Sequence, residues 1–328
     1  ADPQCHNQCK LKIYDFDGRR SIWGGECGRY EVAKIRGPKK ENFFELRQKI
    51  WQPYMDGVYE ELRGEPMMEV DNRPTIGMQR ALYGLQTDIL WAHFFDQLGF
   101  RLVLTPPTNS KISKVGIEKM VAETCYPVKV SHGHIQELIG NTRYLFMPTM
   151  INMPTPEPSE TGFYCPMIQS NSYMVRVALG LDQTSILSPI IHMKYDPDTL
   201  ALEISEQIQK KLHVSKSEIK RAIYYALDMN NQFAMELWRK GQGILDGQSP
   251  DEPIVVVTGR PYNLYDANLN LRLGQNLSKI GVSALPMDFI DVSSVDLSDF
   301  PSMYWGLGAQ ILRTGKFIER HHNYFGLH

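Results

Sequence analysis

Residues 73–107 read RPTIGMQRALYGLQTDILWAHFFDQLGFRLVLTPP, and this stretch decides the fold. Thr75-Ile76-Gly77-Met78 is a short apolar run behind the Arg73-Pro74 boundary, with the length of a buried strand. Asp88 to Leu98 carries apolar residues at helical spacing and stops at Gly99, a residue suited to ending a helix. Phe100 to Leu104 is a second apolar run, closed by Pro106-Pro107. Strand, helix and strand in this succession form a βαβ unit, which builds a parallel sheet with helices on both faces.

The alternation continues outward. Helices are expected over Val115–Glu123, Val128–Ile139 and Met167–Leu179, with strands at Tyr144–Met147 and Ser185–His192 and a Pro-rich loop from Pro148 to Pro158. From Asp196 to about Gln242 two helices follow each other, and Ser215 with Glu218 has the spacing of a capping box. Pro253–Thr258 is the clearest buried strand. After it come a helix at Asn268–Ile280, a strand at Val282–Leu285, a helix at Met303–His321 and the start of a strand at Tyr324–His328. Upstream, Leu11–Tyr14 and Ser21–Trp23 flank the turn signal Asp17-Gly18 as a hairpin, and Asn42 to Leu62 is helical. The sequence therefore predicts an α/β protein: two Rossmann-like (flavodoxin-like) parallel-sheet units with a helical insertion and a small N-terminal Cys-bearing β-hairpin. The expected divisions are 1–72 for the hairpin and helix, 73–195 for the first α/β unit, 196–250 for the helical hairpin and 251–328 for the second α/β unit, which reads as incomplete.

A net charge of -2 over 328 residues leaves no broad basic face, which argues against a nucleic-acid partner. No apolar run approaches the roughly 20 residues of a membrane-spanning helix, and the first residues have no signal-peptide apolar segment. The expectation is a soluble cytoplasmic protein. Five cysteines are too few for a disulfide-stapled secreted domain of this size and direct attention to metal or redox chemistry.

Cys5, Cys9 and Cys27 lie at the open end of the predicted hairpin, with His6 as a candidate fourth ligand; soft sulfur donors suit Zn or an iron–sulfur cluster. Cys125 falls in a loop feeding a helix that carries Lys129, His132 and His134. Cys165 stands in a second strand-to-helix loop, before Pro166. Ligands of parallel sheets bind at such loops, so the two thiols can converge on one group. His132 and His134 are spaced so that a helix turns them to different sides, which favours packing over ligation, as for His321 and His322. Gly259-Arg260-Pro261-Tyr262-Asn263 follows the strongest strand, where Arg260 and Asn263 are candidate anion or ligand contacts. The stretch has neither a Rossmann fingerprint nor a P-loop.

Together these stretches resemble a known family. Residues 73–147, with Cys125-Tyr126-Pro127-Val128-Lys129-Val130-Ser131-His132-Gly133-His134, then Tyr164-Cys165-Pro166-Met167-Ile168-Gln169 and Gly259-Arg260-Pro261-Tyr262-Asn263 with Asp266, are similar to the domain of unknown function in activator-related proteins of the 2-hydroxyacyl-CoA dehydratase and acyl-CoA dehydratase activase system. The resemblance implies a fold like the dehydratase subunits and an iron–sulfur cluster, of the 4Fe-4S type, with Cys125 and Cys165 at two ligand positions. It implies a third cysteine just past the segment matching Tyr324–Leu327 and another shortly before Cys5, hence a chain trimmed at each end. The family's ATPase domains are not in the chain, so ATP hydrolysis is expected from activator domains of the same or a companion chain. Lys129, Arg260 and the two histidines are the candidates for balancing cluster or substrate charge, and a CoA ester is the implied substrate. Two functions follow: low-potential electron transfer for a CoA-ester dehydration or reduction, or a non-catalytic docking or regulatory module stabilised by Zn at Cys5, Cys9 and Cys27.

Overall fold

The structure, a computed structural model, describes residues 8–16, 19–25, 38–62 and 72–328. It opens on an antiparallel hairpin of β1 (Lys12–Phe16) and β2 (Arg19–Trp23), as expected. Asp17, Gly18, Cys5, His6 and Cys27 lie outside the described residues. Helix α1 (Phe43–Met55) starts at Asn42, whose side chain accepts from the Glu45 amide.

The helix expected to run on to Leu62 stops at Met55. Gly57 sits in the left-handed region, φ +82°, and turns the chain into strand β3 (Tyr59–Glu61). Then come β4 (Thr75–Met78), α2 (Gly84–Gln97), β5 (Arg101–Leu104), α3 (Ser110–Glu118), α4 (Tyr126–Leu138) and β6 (Tyr144–Phe146). Helix α3 begins five residues earlier than its apolar pattern suggests, because Asn109 caps it by accepting from the Ile112 amide at 3.0 Å.

After β6 the chain runs through β7 (Thr149–Asn152), α5 (Pro166–Gln169), α6 (Asn171–Leu179), β8 (Ile186–Leu187) and β9 (Ile190–His192). The single strand expected over Ser185–His192 is two, and a matching strand sits inside the loop read from Pro148. Pro148 and Pro189 explain both differences, since neither can donate to a continuous ladder. β8 pairs with β6 before the prolines, and β9 pairs with β7 after them in a separate two-stranded sheet. The helix expected over Met167–Leu179 is likewise broken at Ser170, whose hydroxyl donates back to the Pro166 carbonyl.

The first sheet is wholly parallel, in the order β3-β5-β4-β6-β8. Side chains alternate across it as strand geometry requires. Leu102, Leu104 and Phe146 face α2, whereas Val103 and Leu145 face Ile135, Leu138 and Val175 of α4 and α6. Helix α2 is buried nearly all round: Ile89, Leu90, Trp91, Phe94 and Phe95 are each at most 1 % exposed. It is sandwiched between the sheet and the longest helix of the insertion, which is why a helix with apolar residues on nearly every side is stable here. Trp91 packs edge-on against Phe94 and Phe146, with centroids 5.7 and 4.8 Å apart.

The insertion is α7 (Pro197–Leu212) followed by α8 (Lys216–Asp246), and both bonds of the Ser215–Glu218 capping box are present. Next come β10 (Ile254–Val257), α9 (Pro261–Tyr265), α10 (Leu273–Lys279), β11 (Ser283–Pro286), α11 (Gly306–Glu319) and β12 (Tyr324–Leu327). The second sheet, β11-β10-β12, is also parallel. Helix α10 starts later than expected because Leu271 and Arg272 are left-handed and the Asp266 carboxylate holds the Asn268 and Leu269 amides in a turn. A single apolar core runs through α1, α2, α8 and both sheets, so the two units share one interior. Among the described residues no helix is long and apolar enough to cross a membrane.

Candidate functional site

In each sheet the first strand of the βαβ series is central and its successors lie on opposite sides, β5 and β6 about β4, β11 and β12 about β10. The C-terminal ends of β4 and β10 are therefore the points where strand order reverses and where open α/β sheets take ligands. Three helices begin at this edge in one local manner. Cys125 is the N-cap of α4, Cys165 of α5 and Arg260 of α9, and a proline occupies the first or second helical position of each. Proline presets the first turn and drives the residue before it to extended backbone. All three caps are extended, with ψ of 151°, 140° and 151°; Pro166 and Pro261 directly follow theirs and impose it, whereas Pro127 stands one residue further on, after Tyr126. None of the three side chains is used as a cap, which leaves two thiols and a guanidinium facing outward from helix starts.

Arg260 donates from Nη1 to the Tyr262 hydroxyl at 3.2 Å. Its pKa is raised, burial opposing and Tyr262 and the nearby Cys165 thiol contributing to the rise. Burial pushes the Tyr262 hydroxyl above its ordinary range; Arg260 opposes this, and the Cys125 and Cys165 thiols both add to it. The loop before α4 touches α5 as well, where the Thr124 hydroxyl donates to the Met167 sulfur at 3.4 Å. Cys125 is exposed, Cys165 half-buried, and both are free thiols at one mouth.

The other candidates are not at that mouth in the same way. Lys129 is committed to Glu123 at 2.6 Å. Asn263 is on the exposed side of α9. His132 is fully buried, with Nδ1 bonded to the Val128 carbonyl at 2.8 Å, and its pKa is lowered by burial. His321 packs against Phe317 and Tyr324. Cys9 is half-buried, and its two partner cysteines fall outside the described residues. Among the described residues no group of three or more His, Cys, Asp or Glu side chains is placed to hold a metal ion.

His134 has a definite structural task. The Asp266 carboxylate accepts from the Thr108 hydroxyl, so Thr108 must itself accept from His134 Nε2, at 2.9 Å. That leaves His134 Nδ1 as an acceptor for the Thr105 hydroxyl at 2.6 Å, and the Thr105 oxygen accepts from the Arg80 amide at 2.9 Å. The bonds run one way, from the end of β4 through a neutral imidazole to the second unit. Burial, with the Arg80 charge adding to it, pushes the His134 pKa down to about 3. Asn268 closes the joint by donating to the Thr108 carbonyl.

Tyr262, Arg80, Thr105 and Thr108 are not candidates in the sequence, whereas His134 and Asp266 stand in the motifs that it offers. Tyr262 lies inside the Gly259–Asn263 stretch, so its signal was present but not separable from that of its neighbours. The hydroxyl chain draws on segments scattered over the whole protein and has no local signal. Residues 75–290, which contain both sheet switch points, Cys125, Cys165, Arg260 and Tyr262, match the family model described as CoA enzyme activase uncharacterised domain (DUF2229). A search of the curated proteins found no match to the chain.

Proposed function

The chain belongs to the family of the CoA enzyme activase uncharacterised domain, and from that premise we propose that Cys125 and Cys165 supply two thiolates to an iron–sulfur cluster serving a CoA-ester dehydration or reduction. The supporting observation is that Cys125 and Cys165 are both free N-cap thiols of helices that open on a proline, and that both lie within electrostatic range of the Tyr262 hydroxyl. Soft thiolates are the donors iron–sulfur clusters take, and the pair would supply two of the four donors of a cubane cluster.

When bound, the cluster supplies one-electron chemistry at low potential. The protein's own contribution is positional and electrostatic. Both caps are extended, Cys165 under the direct restriction of Pro166, and neither thiol caps its own helix. Arg260 is the charge-balancing cation, since Lys129 is occupied by Glu123. Tyr262 fixes the orientation of its guanidinium. The electron source in this reading is an ATP-hydrolysing activator domain of the same or a companion chain.

The test is anaerobic reconstitution of the full chain with iron and sulfide, followed by iron analysis and electron paramagnetic resonance after reduction. About four iron atoms per site are expected, together with a reduced-state signal, and both should disappear in the Cys125→Ser/Cys165→Ser double variant while its circular dichroism is unchanged. Iron content that is equal in the two proteins, or no stoichiometric iron in the wild type, overturns the proposal.

A further inference from the structure

A cavity of about 470 Å³ lies between α8, α11 and the Pro-rich segment after β7, beside Gly259 and Met287 at the ends of β10 and β11. Its size is that of a small-molecule site. Neither thiol of the mouth lines it, so it is a separate feature.

Its cations are already matched. Arg313, 2 % exposed, donates to Glu160 through both terminal nitrogens and to the Val295 carbonyl through Nε at 3.0 Å. Arg47 donates to Asp288 at 2.6 Å and lies 3.7 Å over the Tyr265 ring. The remaining lining charge, Asp291, is a carboxylate that accepts from the Ser293 amide. Each cation thus faces its own anion, and an anionic ligand would lose its hydration and meet Asp291 without a free cation to compensate.

The uncommitted groups are carboxamides. Asn230 and Gln310 make no side-chain hydrogen bond among the described residues, and Gln86 accepts from the Tyr164 hydroxyl at 3.3 Å while its own NH₂ donates to nothing there. Phe233, Leu237 and Trp238 of α8 supply apolar wall. Amides facing an apolar chamber bind carbonyl and N–H groups, and they do so without net charge. We propose that this cavity binds a neutral ligand, an apolar chain bearing a carboxamide or a similar uncharged hydrogen-bonding group.

The probes are hexanamide and its anionic analogue hexanoate, titrated into the metal-free full chain and followed by tryptophan fluorescence, with Trp238→Phe assigning the signal. Hexanamide should saturate with a Kd on the order of millimolar, as suits so small a ligand, and hexanoate should bind at least about tenfold more weakly. Asn230→Leu removes one amide and should weaken hexanamide about five- to tenfold. Ala234→Trp fills the chamber and should abolish binding. Absence of saturation, hexanoate binding as well as the amide, or hexanamide binding unchanged in Asn230→Leu would overturn the assignment. Should Ala234→Trp fail to fold, Asn230→Leu decides. Because the metal-free protein is used, failure here leaves the cluster reading untouched.

Discussion

Gly133→Ala should destabilise the protein, although alanine is the better helix former. Helices α3 and α4 cross at Gly116 and Gly133. A Cβ at Gly133 would stand 2.0 Å from the Ile112 carbonyl oxygen and 3.1 Å from the Gly116 nitrogen. Both obstacles are backbone and cannot rotate away. Restoring even a 3.0 Å approach moves the helices about 1 Å apart, a gap that forfeits a quarter to a half of the dispersion along the seam. Overpacking of this kind costs roughly 1–3 kcal/mol net, after the ~1 kcal/mol that alanine gains in a helix interior. Equilibrium urea unfolding followed by circular dichroism measures it as a lower midpoint at unchanged slope. The control is Gly315→Ala in α11, where a Cβ meets nothing within 4 Å; the same chemical change should there stabilise by up to ~1 kcal/mol. A Gly133→Ala protein at least as stable as the wild type would refute the argument. So would the two variants shifting in the same direction.

His134 makes the fold acid-labile: its folded pKa is depressed to about 3 from 6.5, so the unfolded chain binds the extra proton between those values. Stability should therefore fall by up to roughly 1.4 kcal/mol for each pH unit below about 6.5, and His134→Gln should remove that part of the slope in urea titrations between pH 7 and 4. Asp266→Ala strands the Thr108 hydroxyl and two turn amides, and should cost at least about 2 kcal/mol, read as a lowered unfolding midpoint; a loss below half of that would show the joint between the units is weak. Ser215→Ala removes a complete capping box from α8 and should lower stability by about 1 kcal/mol, measured in the same way.

The sequence by itself determined everything that depends on neighbours along the chain. Alternating apolar runs made the parallel sheets legible, Ser215 and Glu218 announced the start of α8, and the prolines after Cys125, Cys165 and Arg260 placed those residues at helix entrances. The likeness in the motifs between residues 73 and 266 pointed to the family whose model matches residues 75–290. What required the tertiary structure was every decision between distant segments. Tyr59–Glu61 became a strand because β5 offered it a ladder, and Pro148 and Pro189 acted together in splitting one sheet into two. Gly116 and Gly133 are unremarkable apart and indispensable where their helices cross. The approach of Cys125 and Cys165 to Tyr262, the neutral His134 between Arg80 and Asp266, and the carboxamides around one chamber share this origin. Hydrogen bonds and close packing act over a few ångströms, and only the closed chain brings residues so far apart in sequence within that range.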